Sequence, residues 1–268
     1  MRMRFFLPQP VATFAYAVYR GGHAVLRNPL FRACFDRPGA IDALVRDKTA
    51  YHFEEPIPHW AIRHRFSLCG EEYALLICLP DEASRSGEQS PEAAMQAVAD
   101  LFRVVLAFTD KANTTHAAVS VRTLFREVCT IVRKRVSATL AVQGEDSVSE
   151  AAVASLDREG FMLTLGFLLP CLAAGNGRIY AGLQEEPEGE VAMVLEGAGE
   201  VSNAFHRSLA AAVGAACGFE VRFTPKGASF LLHKTAADSR LLLAADPTVD
   251  LACVDIGMLL CEQAEEDV

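Results

Sequence analysis

No stretch of this chain approaches the roughly 18–20 unbroken apolar residues that a membrane-spanning helix needs. The most apolar segment, Phe161 to Ala174, is shorter and is interrupted by Gly166 and Pro170. Pro8 and Pro10 break the N-terminal run MRMRFFLPQPVATF before an apolar leader core can form. No membrane partner is expected, and a cytoplasmic location is. Paired metal ligands are missing too. The eight cysteines (Cys34, Cys69, Cys78, Cys129, Cys171, Cys217, Cys253 and Cys261) form no C-x-x-C pair. Most sit in apolar runs such as ALLICLP and GAACGFEV, where a thiol serves as a small buried hydrophobe in a reducing compartment. This excludes a structural zinc site, whose ligands come closely paired. Walker A, G-x-S-x-G and H-E-x-x-H sequences are absent. Positive charge is also in deficit. The formal net charge is -9, so a phosphate backbone is repelled and nucleic acid is not an expected partner. The one basic stretch, Arg122, Arg126, Arg133, Lys134 and Arg135, fits the solvated side of a helix.

What is present suits a folded protein. Half of the residues (51%) are apolar, enough to build a packed core and to exclude disorder. Three regions separate. The first, residues 1–82, ends in the linker-like stretch DEASRSGEQSPEA. The second, 83–136, opens on Ser90 and Pro91, a capping residue followed by proline at the first helical position. Met95, Val98, Phe102, Val105 and Leu106 then recur at helical spacing. The polar run Thr109 to Thr115 breaks the pattern, and Val121, Leu124, Phe125, Val128 and Val132 resume it. Two amphipathic helices joined by a turn predict a helical hairpin. A hairpin with an apolar stripe on each helix cannot bury both alone; it wants a second copy or a neighbouring domain, which is a physical reason to expect a homodimer.

The third region is 137–268. SATLAVQ reads as a strand, and Ser149 to Ala173 as a helix. GRIYAGLQ and EVAMVLEG are strand-like runs joined by the polar turn EEPEGE. Phe205, Leu209, Ala212, Val213 and Ala216 mark a helix ended by Gly218, and FEVRFT and ASFLLH form a hairpin around Pro225-Lys226-Gly227. The order predicts an α/β sandwich with helices on one sheet face. LLLAADPTVDLACVDIGMLL is apolar enough to pack on this domain or on a partner, and the acidic run Glu262 to Asp267 reads as a frayed tail. The carboxylate pairs Glu54-Glu55 and Glu185-Glu186 lie in polar turns and read as solvated, not as acid/base pairs.

From Ser137 to His233 the order and spacing resemble the GHKL ATPase domain shared by histidine kinases, gyrase B and MutL. The family's helix N-L-L-x-N-A, turn and strand G-x-I-x-V are matched by FLLPCLAAGNGRIYAGL, and its strand ending D-x-G-x-G by EVAMVLEGAG. SLAAAVGAACGFEVRFTPKGASFLLH matches the later helix and closing hairpin. The first region resembles a PAS sensor domain: HAVLRNPLFRACFDRPGAIDALV matches the strand, Asn-Pro and short helix, and FSLCGEEYALLICLPDEA the closing hairpin, with its turn placed at Gly70-Glu71-Glu72. The resemblance implies an α+β chain: a PAS-like sensor domain (1–82), a dimerisation hairpin (83–136) and a GHKL-type domain (137–268).

The same resemblance implies that the nucleotide chemistry is gone. Cys171 stands where the family has the asparagine that holds magnesium, and a neutral thiol is a poor ligand for a hard cation. Phe167 stands for the first asparagine. Leu195 stands for the aspartate that accepts a hydrogen bond from adenine, and Leu195 accepts nothing. Glu196 is adjacent, but a shift of one residue on a strand turns it to the opposite face. Gly197 and Gly199 remain, the glycine-rich phosphate turn is absent, and the chain from Gly199 to Leu209 is too short for a long lid. The first helix of the hairpin carries no histidine, and His116 in TTHAA lacks the acidic neighbour of a phosphoacceptor. His52, His59 and His64 are spaced by seven and five, which fits no ligand motif. No catalytic, cofactor-binding or metal-binding residue is therefore expected. A non-catalytic histidine-kinase-like signalling protein is, with a response regulator or sensor kinase as partner. An active phosphotransferase using His116 and a PAS-based small-molecule sensor are the alternatives.

Overall fold

The computed structural model describes residues 14–35, 50–54, 57–81, 91–136, 138–173, 178–197, 199, 201, 203–235 and 246–261. It divides into two compact units, with the boundary between Leu106 and Ala107.

The first unit is built on five antiparallel strands: β1 (Ala15–Arg20), β2 (His23–Arg27), β3 (Tyr51–Phe53), β4 (His59–Leu68) and β5 (Glu71–Pro80), in the order β2-β1-β5-β4-β3. Two tight turns set the hairpins. Gly21 and Gly22 both take positive φ between β1 and β2. Cys69 and Gly70 do the same between β4 and β5, the mirror-type turn whose twist suits a hairpin. That turn sits earlier than the glycine-led Gly70-Glu71-Glu72 expected, because Cys69 takes the left-handed conformation in place of Glu71.

Helix α1 (Pro29–Phe35) follows β2 directly. The buried Asn28 explains why. Its Oδ1 accepts from the backbone N–H of Phe31 (2.8 Å), capping the helix, and from that of Tyr16 in β1 (3.0 Å). Its Nδ2 donates to the Phe14 carbonyl at 2.6 Å. One amide thus joins the first helix to the first strand. Asn28→Ala removes a helix cap and leaves a buried N–H without its acceptor, so a loss of about 2–4 kcal/mol is expected from denaturant titration. Against one face of the sheet, Phe31 and Phe35 of α1 pack with Ala15, Ala17, Ala61, Leu76 and Cys78. Helix α2 (Pro91–Ala107) sets the Phe102 ring edge-on to Tyr16 at 5.4 Å. The linker-like stretch between β5 and α2 lies mostly outside the described residues.

The second unit carries β6 (Ala117–Ser120), α3 (Val121–Arg135), β7 (Thr139–Gln143), β8 (Val153–Leu156), α4 (Arg158–Ala173), β9 (Arg178–Glu186), β10 (Glu190–Glu196), α5 (Ala204–Cys217), β11 (Phe219–Thr224), β12 (Gly227–His233) and α6 (Pro247–Cys261). The main sheet runs β11-β12-β10-β9-β7, antiparallel except for the parallel pair β7–β9. β6 and β8 form a separate two-stranded ladder. Residues of alternate parity on β9, β10 and β12 (Ile179 and Ala181; Val191, Met193 and Leu195; Phe230 and Leu232) are all nearly inaccessible. Phe161 of α4 closes on this face, with its ring 4.8 Å from Phe230 and 5.2 Å from Phe219.

Two expectations change here. The segment read as one helix from Ser149 to Ala173 is a strand followed by a helix. Val153–Leu156 pairs with β6, and Asp157 ends the strand and caps α4, its Oδ1 accepting from Gly160 N at 3.0 Å. The expected hairpin is also divided. α2 belongs to the first unit and α3 to the second, with β6 between them. Both apolar stripes (Met95, Val98, Phe102 and Val105; Val121, Leu124, Phe125, Val128 and Val132) are buried in the single chain, with Leu106 of the first partly exposed. The physical reason for expecting a homodimer therefore falls away.

Candidate functional site

α4 is the helix on which the expected nucleotide residues fall. Its first turn is fixed by Asp157, which also accepts from Thr115 N through Oδ2 (2.6 Å). From Gly160 to Leu169 every side chain is buried, as in a helix surrounded on all sides by protein. Phe167 is 0% exposed, and Cys171, one turn on, is partly exposed. Pro170 has no N–H to return to the carbonyl of Gly166.

On the neighbouring strand, Leu195 is fully buried, whereas Glu196 is on the opposite, partly exposed side, as the pleat requires. Gly197 closes the end of β10 against α4. A methyl group there would collide with the carbonyl of Leu172, and the Gly197 N–H donates to Lys226 O at 2.8 Å. The ends of α4 and β10 therefore meet backbone to backbone beside Cys171 and Leu195, where a nucleotide pocket would need to open. Phe167, Cys171 and Leu195 offer magnesium no side-chain oxygen.

α6 occupies a further part of the same neighbourhood. This is the apolar C-terminal segment whose packing partner was open in the sequence, and it lies along α4. A methyl at Gly166 would strike the carbonyl of Val254 and fall 2.9 Å from the Gly257 Cα; one at Gly257 would strike the carbonyl of Leu163. The two helices touch through their glycines. At their N-terminal ends a buried ion cluster holds them. Arg158 of α4 donates through Nε to Asp250 Oδ1 (2.9 Å) and through Nη2 to Asp250 Oδ2 (2.6 Å) and Glu127 of α3. Arg158 and Asp250 are about 5% and 4% exposed, so this is a desolvated pair. Burial disfavours the charged guanidinium, but the bonds to Asp250 and Glu127 outweigh it and hold the Arg158 pKa above the ordinary arginine value. Neither partner was foreseen. The available signal was Asp246-Pro247, a cap followed by proline: Asp246 Oδ1 accepts from Thr248 N at 3.1 Å.

The remaining candidates are dispersed. His116 is exposed in the coil before β6. Its Nε2 donates to the carbonyl of Ala216 at the end of α5 (2.9 Å), which Thr114 also reaches at 3.1 Å. The imidazole thus fastens the coil to a helix end. α5 begins at a plain cap, Asn203 Oδ1 accepting from Phe205 and His206, with no glycine turn. His52 meets the carboxylate of Asp81 at 3.0 Å and the ring of Trp60, while His59 is buried. Among the described residues no group of three or more His, Cys, Asp or Glu is placed to hold a metal. The basic stretch on α3 is partly neutralised by its own unit: Arg122 pairs with Asp146 and Glu150, Arg126 with Glu145, and Arg135 with Asp255. Arg133 and Lys134 stay exposed. Glu185 is tied to Lys234 at 2.9 Å, which lowers its pKa. Cys78, Cys129, Cys217 and Cys253 are buried, and desolvation pushes the Cys129 thiol up to about 11. No described helix is long and apolar enough to cross a membrane.

No known protein family matches the chain, and no curated protein matches it in sequence. Among solved structures it is similar to the Acinetobacter baumannii histidine kinase AdeS, with a TM-score of 0.39 and 10% identity over 54% of this chain and 80% of that one. It is also similar to full-length ShkA in complex with AMPPNP, with a TM-score of 0.36 and 15% identity over 58% of this chain; there it spans only 38% of the solved chain. Scores this low decide nothing about function, which rests on the residues of this chain.

Proposed function

We propose that the protein is a non-catalytic, histidine-kinase-like regulator that works by binding another protein. One observation carries this reading. At the positions where the resembled family places its first asparagine, its magnesium-holding asparagine and its adenine aspartate, this chain has Phe167, Cys171 and Leu195, and the first and last of these are sealed in the interior. The closure of Gly197 on Leu172 and the packing of α6 along α4 support it. The β2-β1-β5-β4-β3 order, with a short helix after the second strand, supports the PAS-like reading of the first unit. A response regulator or a sensor kinase is the proposed partner. A homodimer no longer follows from the helix stripes, and light scattering on the purified protein decides it.

Incubation with radiolabelled ATP, or with a phosphorylated response regulator, tests the reading. The chain is expected to stay unlabelled. Label that appears on the wild type and vanishes in His116→Ala would establish a phosphotransferase instead. The hydrogen bond from His116 to Ala216 favours the first outcome, since the imidazole already has a structural task.

A further inference from the structure

The main sheet of the second unit has two outer strands, β11 and β7, and they are finished differently. β11 carries charge: Glu220 and Arg222 are exposed and paired with each other at 2.7 Å. Charge on an edge strand discourages another chain from pairing there. β7, with the sequence TLAVQ, has no charge and no proline. Among the described residues β9 is the one strand paired with it. Successive residues of a strand turn their backbone groups to opposite sides, so every second residue of β7 directs its N–H and C=O away from β9. The side chains agree. Leu140 and Val142 stand beside Ile179 and Ala181 of β9. Ile179 and Ala181 are sealed in the interior, whereas Leu140 and Val142 are only half-buried. The apolar layer that is closed at β9 is still open at β7, and one more strand would cover it.

Positive charge accompanies this edge. α3 packs against β7 and runs the opposite way. Arg126 pairs with Glu145 just past the end of β7, while Arg133 and Lys134 lie just before its start. Eight residues of helix span about 12 Å, which fits within the roughly 17 Å of a five-residue strand. Arg126 is held by Glu145, and Arg135 by Asp255. Arg133 and Lys134 are exposed and meet no carboxylate among the described residues.

We propose that β7 is a docking edge for an extended, acidic segment of a partner protein, which adds to the five-stranded sheet as a sixth strand with its carboxylates toward Arg133 and Lys134. The backbone ladder supplies affinity, and the two cations select the sign of the partner. An extended basic segment would meet the same cations with like charge. A nucleic acid needs more free positive charge than two residues provide on a chain of net charge -9. A docking edge presupposes that the chain works by binding another protein, and gives that contact a place and a chemistry. An edge that takes no strand would still leave the chain unlabelled by ATP, so the two failures are distinct.

Three eight-residue peptides are the probes: alternating glutamate and valine, alternating lysine and valine, and the glutamate peptide with every backbone amide methylated. Each is titrated into the full-length protein, with amide hydrogen exchange followed at Thr139–Gln143. The glutamate peptide is expected to bind about tenfold more tightly than either of the others, and to slow exchange at the outward amides of β7. Arg133→Glu combined with Lys134→Glu is expected to transfer the preference to the lysine peptide. No binding of the glutamate peptide, equal binding of its methylated form, unchanged exchange in β7, or a preference that survives the double reversal would overturn the proposal. Outward amides already protected before any peptide is added would overturn it too. The edge would then be taken, by a second copy of this chain where protection rises with protein concentration, and by the chain itself where it does not. Should the double variant fail to fold, the three peptides and the exchange of the wild type decide alone.

Discussion

Asp250→Ala is expected to lower the stability of the second unit by about 3 kcal/mol, read as a drop in denaturant midpoint at unchanged slope. The substitution leaves Arg158 buried with the carboxylate of Glu127 beside it, and Glu127 is itself about a quarter exposed. The loss comes from stranding a desolvated charge, not from removing a favourable contact. For that reason Arg158→Met combined with Asp250→Leu is expected to recover most of it, because apolar residues of similar size need no counter-ion. A double variant as unstable as Asp250→Ala would show that the pair contributes net stability. A single variant within about 1 kcal/mol of wild type would place the pair among weak surface bridges.

Gly257→Ala is expected to cost about 2–3 kcal/mol, the upper range for overpacking. The added methyl meets the Leu163 carbonyl and the Gly166 backbone, and neither can rotate away as a side chain would. α6 must therefore lift from α4. Gly166→Ala pushes on the same contact from the other side, toward the Val254 carbonyl. The two effects are expected to be less than additive, since the first separation of the helices makes room for the second methyl. Full additivity in a double-mutant cycle would mean that the glycines do not share one contact.

These effects lie where the sequence was least informative. The helix Ala204–Cys217 and its end at Gly218 were legible from apolar spacing and a closing glycine, and Gly218 takes the left-handed conformation at φ 87°. The hairpin Phe219–His233 and the pair β9–β10 were legible from alternation and turn residues. The strand Val153–Leu156 was not: its alanines and serine fit a helix equally well, and only its ladder with Ala117–Ser120 decides. The stripe on α3 was read correctly as buried, but a stripe says that a face is covered and not by what. Here its cover is within the chain, and the argument for a homodimer goes with it. In the candidate site, Leu195 and Glu196 were placed on opposite faces by the pleat alone, whereas Arg158 and Asp250 are 92 residues apart and no local pattern joins them. His59 was grouped in the sequence with His52 and His64. Its burial exists only once Phe53 of β3 and Phe35 of α1 enclose it.

The central claim is that the place of the nucleotide has become protein interior. Titration calorimetry of the intact protein with ATP and magnesium tests it most directly. The structure around Phe167, Cys171 and Leu195 predicts no binding heat up to millimolar nucleotide; a saturable isotherm with a micromolar dissociation constant would contradict it.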